Sequence, residues 1–79
     1  MKLIKLLNII ANNEKIPSII RYNKKVYHYD EFVIGYGETY FDAKWKITKG
    51  YRHRTNDNTF IYLTIRDYNL NDEIEIIEE

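Results

Sequence analysis

A chain of 79 residues with twelve basic and twelve acidic side chains carries no formal net charge, and 44% of its residues are hydrophobic. That length fits one domain spanning residues 1–79 and excludes a second. A chain this short buries only about 60% of its unfolded surface, and a catalytic pocket of roughly 300 Å³ or more would compete with its core. With no cysteine, disulfide staples and thiolate metal sites are excluded, which suits a reducing compartment.

The charges are not evenly mixed. Residues 1–29 sum to +5, 30–42 to −4, 44–54 to +5 and 55–79 to −6. Such blocks give a surface with separate positive and negative regions if the fold gathers them. Asn8, Asn12 and Asn13 interrupt the apolar N-terminal run and no small-residue cleavage site follows, so no signal peptide is expected. Nothing approaches eighteen consecutive apolar residues, so no membrane span is expected, and the reading is a soluble, cytoplasmic protein.

Residues 2–13 predict the single helix. Leu3, Leu6, Leu7 and Ile10 form an apolar stripe widened by Ile4 and Ala11, with Lys2, Lys5, Asn8 and Asn12 opposite. Asn12-Asn13 supplies a stop, and Pro17 forces Ile16 toward extended backbone. The period then changes to two. Ser18–Tyr22 and Val26–Tyr29 predict two strands around an Asn23-Lys24 turn, although a type I′ turn favours glycine where Lys24 stands.

Glu31–Tyr36 reads as a further strand, with Gly35 and Gly37 marking a bulge or a tight turn. Residues 39–48 alternate clearly: Phe41, Ala43, Trp45 and Ile47 are expected inward, and Tyr40, Asp42, Lys44 and Lys46 outward. Lys49–Asn58 (KGYRHRTNDN) shows no period and predicts a long exposed loop. Thr59–Arg66 predicts a strand with Ile61, Leu63 and Ile65 inward. Glu73–Ile77 predicts a short last strand with Ile74 and Ile76 inward. The expected fold is α+β: one N-terminal helix packed on a curved, largely antiparallel sheet of about five strands.

No catalytic motif stands out. His28 and His53 are the only histidines and Ser18 the only serine, and no nucleophile elbow, zinc-protease motif or phosphate loop occurs. No catalytic residue, metal ligand or cofactor is assigned, and a binding protein is expected rather than an enzyme. Asn56-Asp57-Asn58 lacks the glycine and closing glutamate of a calcium loop.

Recognition has positive signals. Lys44, Lys46, Lys49, Tyr51, Arg52, His53 and Arg54 form a cationic run with an aromatic inside it, which suits phosphates and a stacked base. Zero net charge argues against nucleic acid as the main partner. The acidic end, Asp72, Glu73, Glu75, Glu78 and Glu79, reads first as an edge strand guarded by charge. Tyr27, Tyr29, Tyr36, Tyr40, Tyr51, Tyr62 and Tyr68 are too many for a thin core, so an exposed tyrosine band is expected, and tyrosine and arginine are favoured at protein interfaces. The expected binding residues are Tyr40, Lys44, Lys46, Tyr51, Arg52 and Arg54. The expected partner is a protein, with nucleic acid or a second copy of the same chain as alternatives.

The opening MKLIKLLNIIANNEKIP, the following IIRYNKKVYHY and the closing LNDEIEIIEE resemble a group of small uncharacterised phage and prophage proteins of low-GC Gram-positive bacteria. The resemblance covers about residues 1–29 and 70–79 and leaves the middle of the chain unmatched. It carries over no site residue. It implies a phage-type protein that binds a host or phage protein stoichiometrically, in the manner of inhibitors of nucleases, CRISPR or other defence systems. A nucleic-acid-binding accessory protein using residues 44–54 and a self-assembling structural phage component are the alternatives.

Overall fold

The computed structural model describes residues 1–39 and 41–79. Helix α1 (Leu3–Ala11) is followed by strands β1 (Ile19–Tyr22), β2 (Lys25–Tyr36), β3 (Lys44–Arg54), β4 (Phe60–Tyr62) and β5 (Glu75–Glu78). The strands form one sheet in the order β4-β3-β2-β1-β5, with every pairing antiparallel. This is the expected α+β architecture.

Local chemistry explains both ends of α1. Lys2 offers no side-chain cap, so the orphan donors of the first turn find partners in the C-terminal segment. Leu3 N–H donates to Asp72 O at 2.9 Å and Ile4 N–H to Leu70 O at 2.9 Å. At the other end Asn13 adopts φ 51°. Its N–H reaches Ile10 O at 3.1 Å and the Glu14 N–H reaches Ile9 O at 3.0 Å. That pair of hydrogen bonds across a left-handed residue closes the helix as Asn12-Asn13 foretold.

The β1–β2 turn also follows expectation. Asn23 and Lys24 both have positive φ, 51° and 65°, as a two-residue I′ turn requires. Opposite it, Glu73 bridges to Lys2 and the Ile74 N–H donates to Met1 O at 2.8 Å. The expected last strand is therefore divided: residues 73–74 clasp the N-terminus, and β5 proper begins at Glu75.

Leu3, Leu6, Ile20, Tyr27, Tyr51 and Ile74 form the buried core, flanked by half-buried Ile10, Ile16, Tyr22, Tyr29, Leu63 and Ile65. Three expected strand boundaries fail. Lys49–Arg54 is not loop but the second half of β3, in register with β2 through Tyr29↔Tyr51 and His28↔Arg52. The alternation is hidden because the inward residues are Tyr51 and His53, which look polar. Their polar tips are satisfied inside: Tyr51 Oη donates to Pro17 O at 2.6 Å, and His53 Nδ1 lies 2.8 Å from Val26 O. Only Thr55–Thr59 turns the chain.

The strand expected over Thr59–Arg66 stops at Tyr62. Leu63 and Ile65 leave the sheet to pad the core. Buried Asn69 holds this excursion, accepting the Arg66 N–H at 2.7 Å and donating to Thr64 O at 2.8 Å.

The strand expected over residues 39–48 begins only at Lys44, and its inward set is not covered. Trp45 is 71% and Ile47 66% exposed. Element lengths give the reason. Nine helical residues extend about 13 Å, whereas twelve strand residues extend about 40 Å. The helix covers one end of the β2–β3 hairpin and the rest projects as an arm. A radius of gyration of 14.0 Å, against about 12 Å for a compact chain of this length, records that projection.

Candidate functional site

The arm comprises residues 31–36 of β2 and 44–49 of β3, paired Glu31↔Lys49, Phe32↔Thr48, Val33↔Ile47, Ile34↔Lys46, Gly35↔Trp45 and Tyr36↔Lys44. Alternation along each strand sorts these residues onto two faces.

The first face continues the one that bears α1. Tyr29 and Tyr51 rings meet at 5.0 Å over the core. Beyond them stand Glu31 and Lys49, then Val33 beside Ile47, then Trp45 across Gly35. Val33 is 58% exposed. No side chain at position 35 could coexist with the indole as placed, since a Cβ there would lie 2.7 Å from Trp45 Cζ3. A strip of core-type residues thus runs out past the core into solvent.

The second face is aromatic and cationic. Phe32 and Tyr62 rings approach to 4.9 Å. The Arg52 guanidinium sits 4.2 Å from the Phe60 centroid and 5.3 Å from that of Phe32. Arg52 also donates to Asp30 Oδ2 at 2.7 Å. That guanidinium, followed by the Glu31 N–H, holds the Asp30 carboxyl below its ordinary range. Outward along the arm follow Ile34 with Lys46 and Tyr36 with Lys44.

The arm ends in a turn in which Gly37 takes φ 142°. There Thr39 N–H and Oγ1–H both donate to Asp42 Oδ1, at 2.7 and 2.8 Å, and lower its pKa. Phe41 is 97% exposed.

Of the expected binding residues, Lys44 and Lys46 lie exposed on the arm's second face. Arg52 is half-buried on the same face and already paired with Asp30. Arg54, at the β4 end, is held by Asn58. Tyr51 is a correction: it is a core residue with its hydroxyl used internally, so it is not a contact. Tyr40 lies outside the described residues. The expected tyrosine band divides in the same way, with Tyr27 and Tyr51 buried and Tyr36, Tyr62 and Tyr68 exposed.

Trp45 and Ile47 escaped notice because strand alternation alone assigns them to a core, and Val33 because the Glu31–Tyr36 strand reads through Phe32, Ile34 and Tyr36. The signal that could have found them is one short helix facing two long strands, together with consecutive apolar residues at Val33-Ile34. Among the described residues no three of His, Asp and Glu gather to hold a metal ion, and no helix is long and apolar enough to cross a membrane. Comparison with protein-family models, with curated proteins and with solved structures returned no match to this chain.

Proposed function

We propose that this chain is a protein-binding module whose projecting β2–β3 arm docks on a partner protein, without catalysis of its own. The observation that carries the reading is the exposure of Val33, Trp45 and Ile47 at 58%, 71% and 66% on an arm the helix does not reach. Exposed apolar residues grouped on one face are characteristic of interaction sites, and tryptophan is the residue most often central to them. The resemblance to small phage proteins supports a finer form of the proposal: a cytoplasmic, stoichiometric inhibitor of a host nuclease or defence protein.

A second reading has its own observation. The Phe32, Tyr62 and Phe60 rings around Arg52, with Lys44 and Lys46 beyond, suit a single nucleic-acid strand.

One experiment separates the two. The tagged protein is used to capture partners from host lysate, with and without nuclease, beside Trp45→Ala and Lys44→Glu/Lys46→Glu variants. Docking through the apolar face gives a nuclease-resistant protein band that Trp45→Ala removes. Recovery that depends on nucleic acid and disappears with the lysine changes would replace it with the second reading.

A further inference from the structure

The sheet has two open edges, and they carry opposite charge. On one side β4 lies beside β3 only at Arg52, His53 and Arg54, and the Leu63 N–H reaches Tyr51 O. From Lys44 to Gly50 β3 has no strand on that side among the described residues, and this stretch carries Lys44, Lys46 and Lys49 with no acid. On the other side β5 is the outermost strand, and it carries Glu75 and Glu78.

We propose that the open β3 edge takes the β5 edge of a second copy of this chain, extending the sheet head to tail. This rests on the reading of the arm as a docking element and names what sits along its edge.

Strand direction, face chemistry and charge agree on this pairing. Directions alternate from β4 to β5 because every pairing is antiparallel. A copy displaced along the sheet without rotation therefore brings its β5 antiparallel to β3, with its helix on the same side. Register then matches the faces. Glu75 and Glu78 lie opposite Arg21 and Ile19, which places them on the face of Lys44 and Lys46. Ile76, opposite core residue Ile20, lies on the face of Trp45 and Ile47.

Like edges do not combine in this way. Two β3 edges would set lysines against lysines, and two β5 edges would set glutamates against glutamates. Unlike edges oppose charges, and the contact is heterologous, so it leaves one edge of each sort free for the next copy. Edge pairing uses the backbone groups of β3 and the charges on the face of Lys44 and Lys46, whereas partner docking uses the opposite face, with Val33, Trp45 and Ile47.

Sedimentation velocity over a concentration series tests the proposal. The wild-type chain should show an average mass that rises with concentration and falls with added salt. Lys44→Glu/Lys46→Glu alone and Glu78→Lys alone should each weaken association about tenfold or more, from lost attraction and new repulsion. Mixing the two variants should restore association, because the acidified β3 edge of one then faces the basic β5 edge of the other. A mass of one chain at every concentration and salt, or association that neither variant alters, would overturn the head-to-tail pairing. A single-chain mass beside partner capture that still depends on Trp45 would sink this inference alone. Capture indifferent to Trp45 would sink the arm reading itself.

Discussion

Trp45 lies across its cross-strand partner Gly35 so closely that the indole fills the space a Cβ would need, with Cζ3 2.7 Å from that point. The glycine gives the ring a flat seat on the arm, and the arm in turn presents the ring to solvent. Gly35→Ala must push the indole away. Because the pair stands outside the core, thermal stability should change by no more than about 0.5 kcal/mol. Partner capture should weaken about fivefold or more, as expected when a central aromatic is misplaced. Emission from this single tryptophan, compared between the two proteins, reports the displacement directly.

Lys24 occupies the second position of the β1–β2 turn at φ 65°, where a side chain costs about 1 kcal/mol. Lys24→Gly removes that cost and matches the residue the turn favours. Stability should rise by about 0.5–1 kcal/mol, read as an upward shift of a few degrees in Tm.

Much of the fold was legible because its local signals agree. The leucine stripe, the Asn12-Asn13 stop, Pro17 and the Asn23-Lys24 turn each act within a few residues, and each stands where the sequence places it. What could not be read is non-local. Tyr51 and His53 are polar residues whose burial depends on Pro17 and Val26 carbonyls distant in sequence, so the second half of β3 resembled a loop. Trp45 and Ile47 alternate like core residues, and only the relative lengths of helix and hairpin leave them exposed. The candidate site was therefore half visible: Lys44 and Lys46 were found, while Trp45 and Ile47 were assigned to the interior and Val33 was passed over.

Asn69 is buried and satisfies two backbone groups, the Arg66 N–H and the Thr64 carbonyl. Asn69→Leu removes both hydrogen bonds from a part-buried site. A loss of about 2 kcal/mol or more is expected, measured by denaturant unfolding. No loss would mean that the 63–70 excursion is held by Leu63 and Ile65 alone.

Tyr51 sets an alkaline limit. Burial, and then the neighbouring Tyr29, raise its pKa well above the ordinary value near 10, and burial raises that of Tyr27 as well. Because the folded value lies above the unfolded one, the contribution of Tyr51 is fully present below pH 10. As the pH rises further, the unfolded chain ionises first, and stability falls by about 1.4 kcal/mol per pH unit for each tyrosine that stays protonated in the fold. Urea midpoints between neutral pH and pH 11 should show this fall. Tyr51→Phe, though less stable at neutral pH through the unpaired Pro17 carbonyl, should show a shallower one.

The most direct test places a photo-crosslinking residue at Ile47, on the apolar face of the arm, and in a second protein at Lys5, on the exposed side of α1. Both positions point to solvent, so both variants should fold. Docking through the arm gives a discrete covalent adduct with one partner chain from position 47 and none from position 5. Adducts from position 5 with none from position 47 would contradict the assignment of the arm as the docking element.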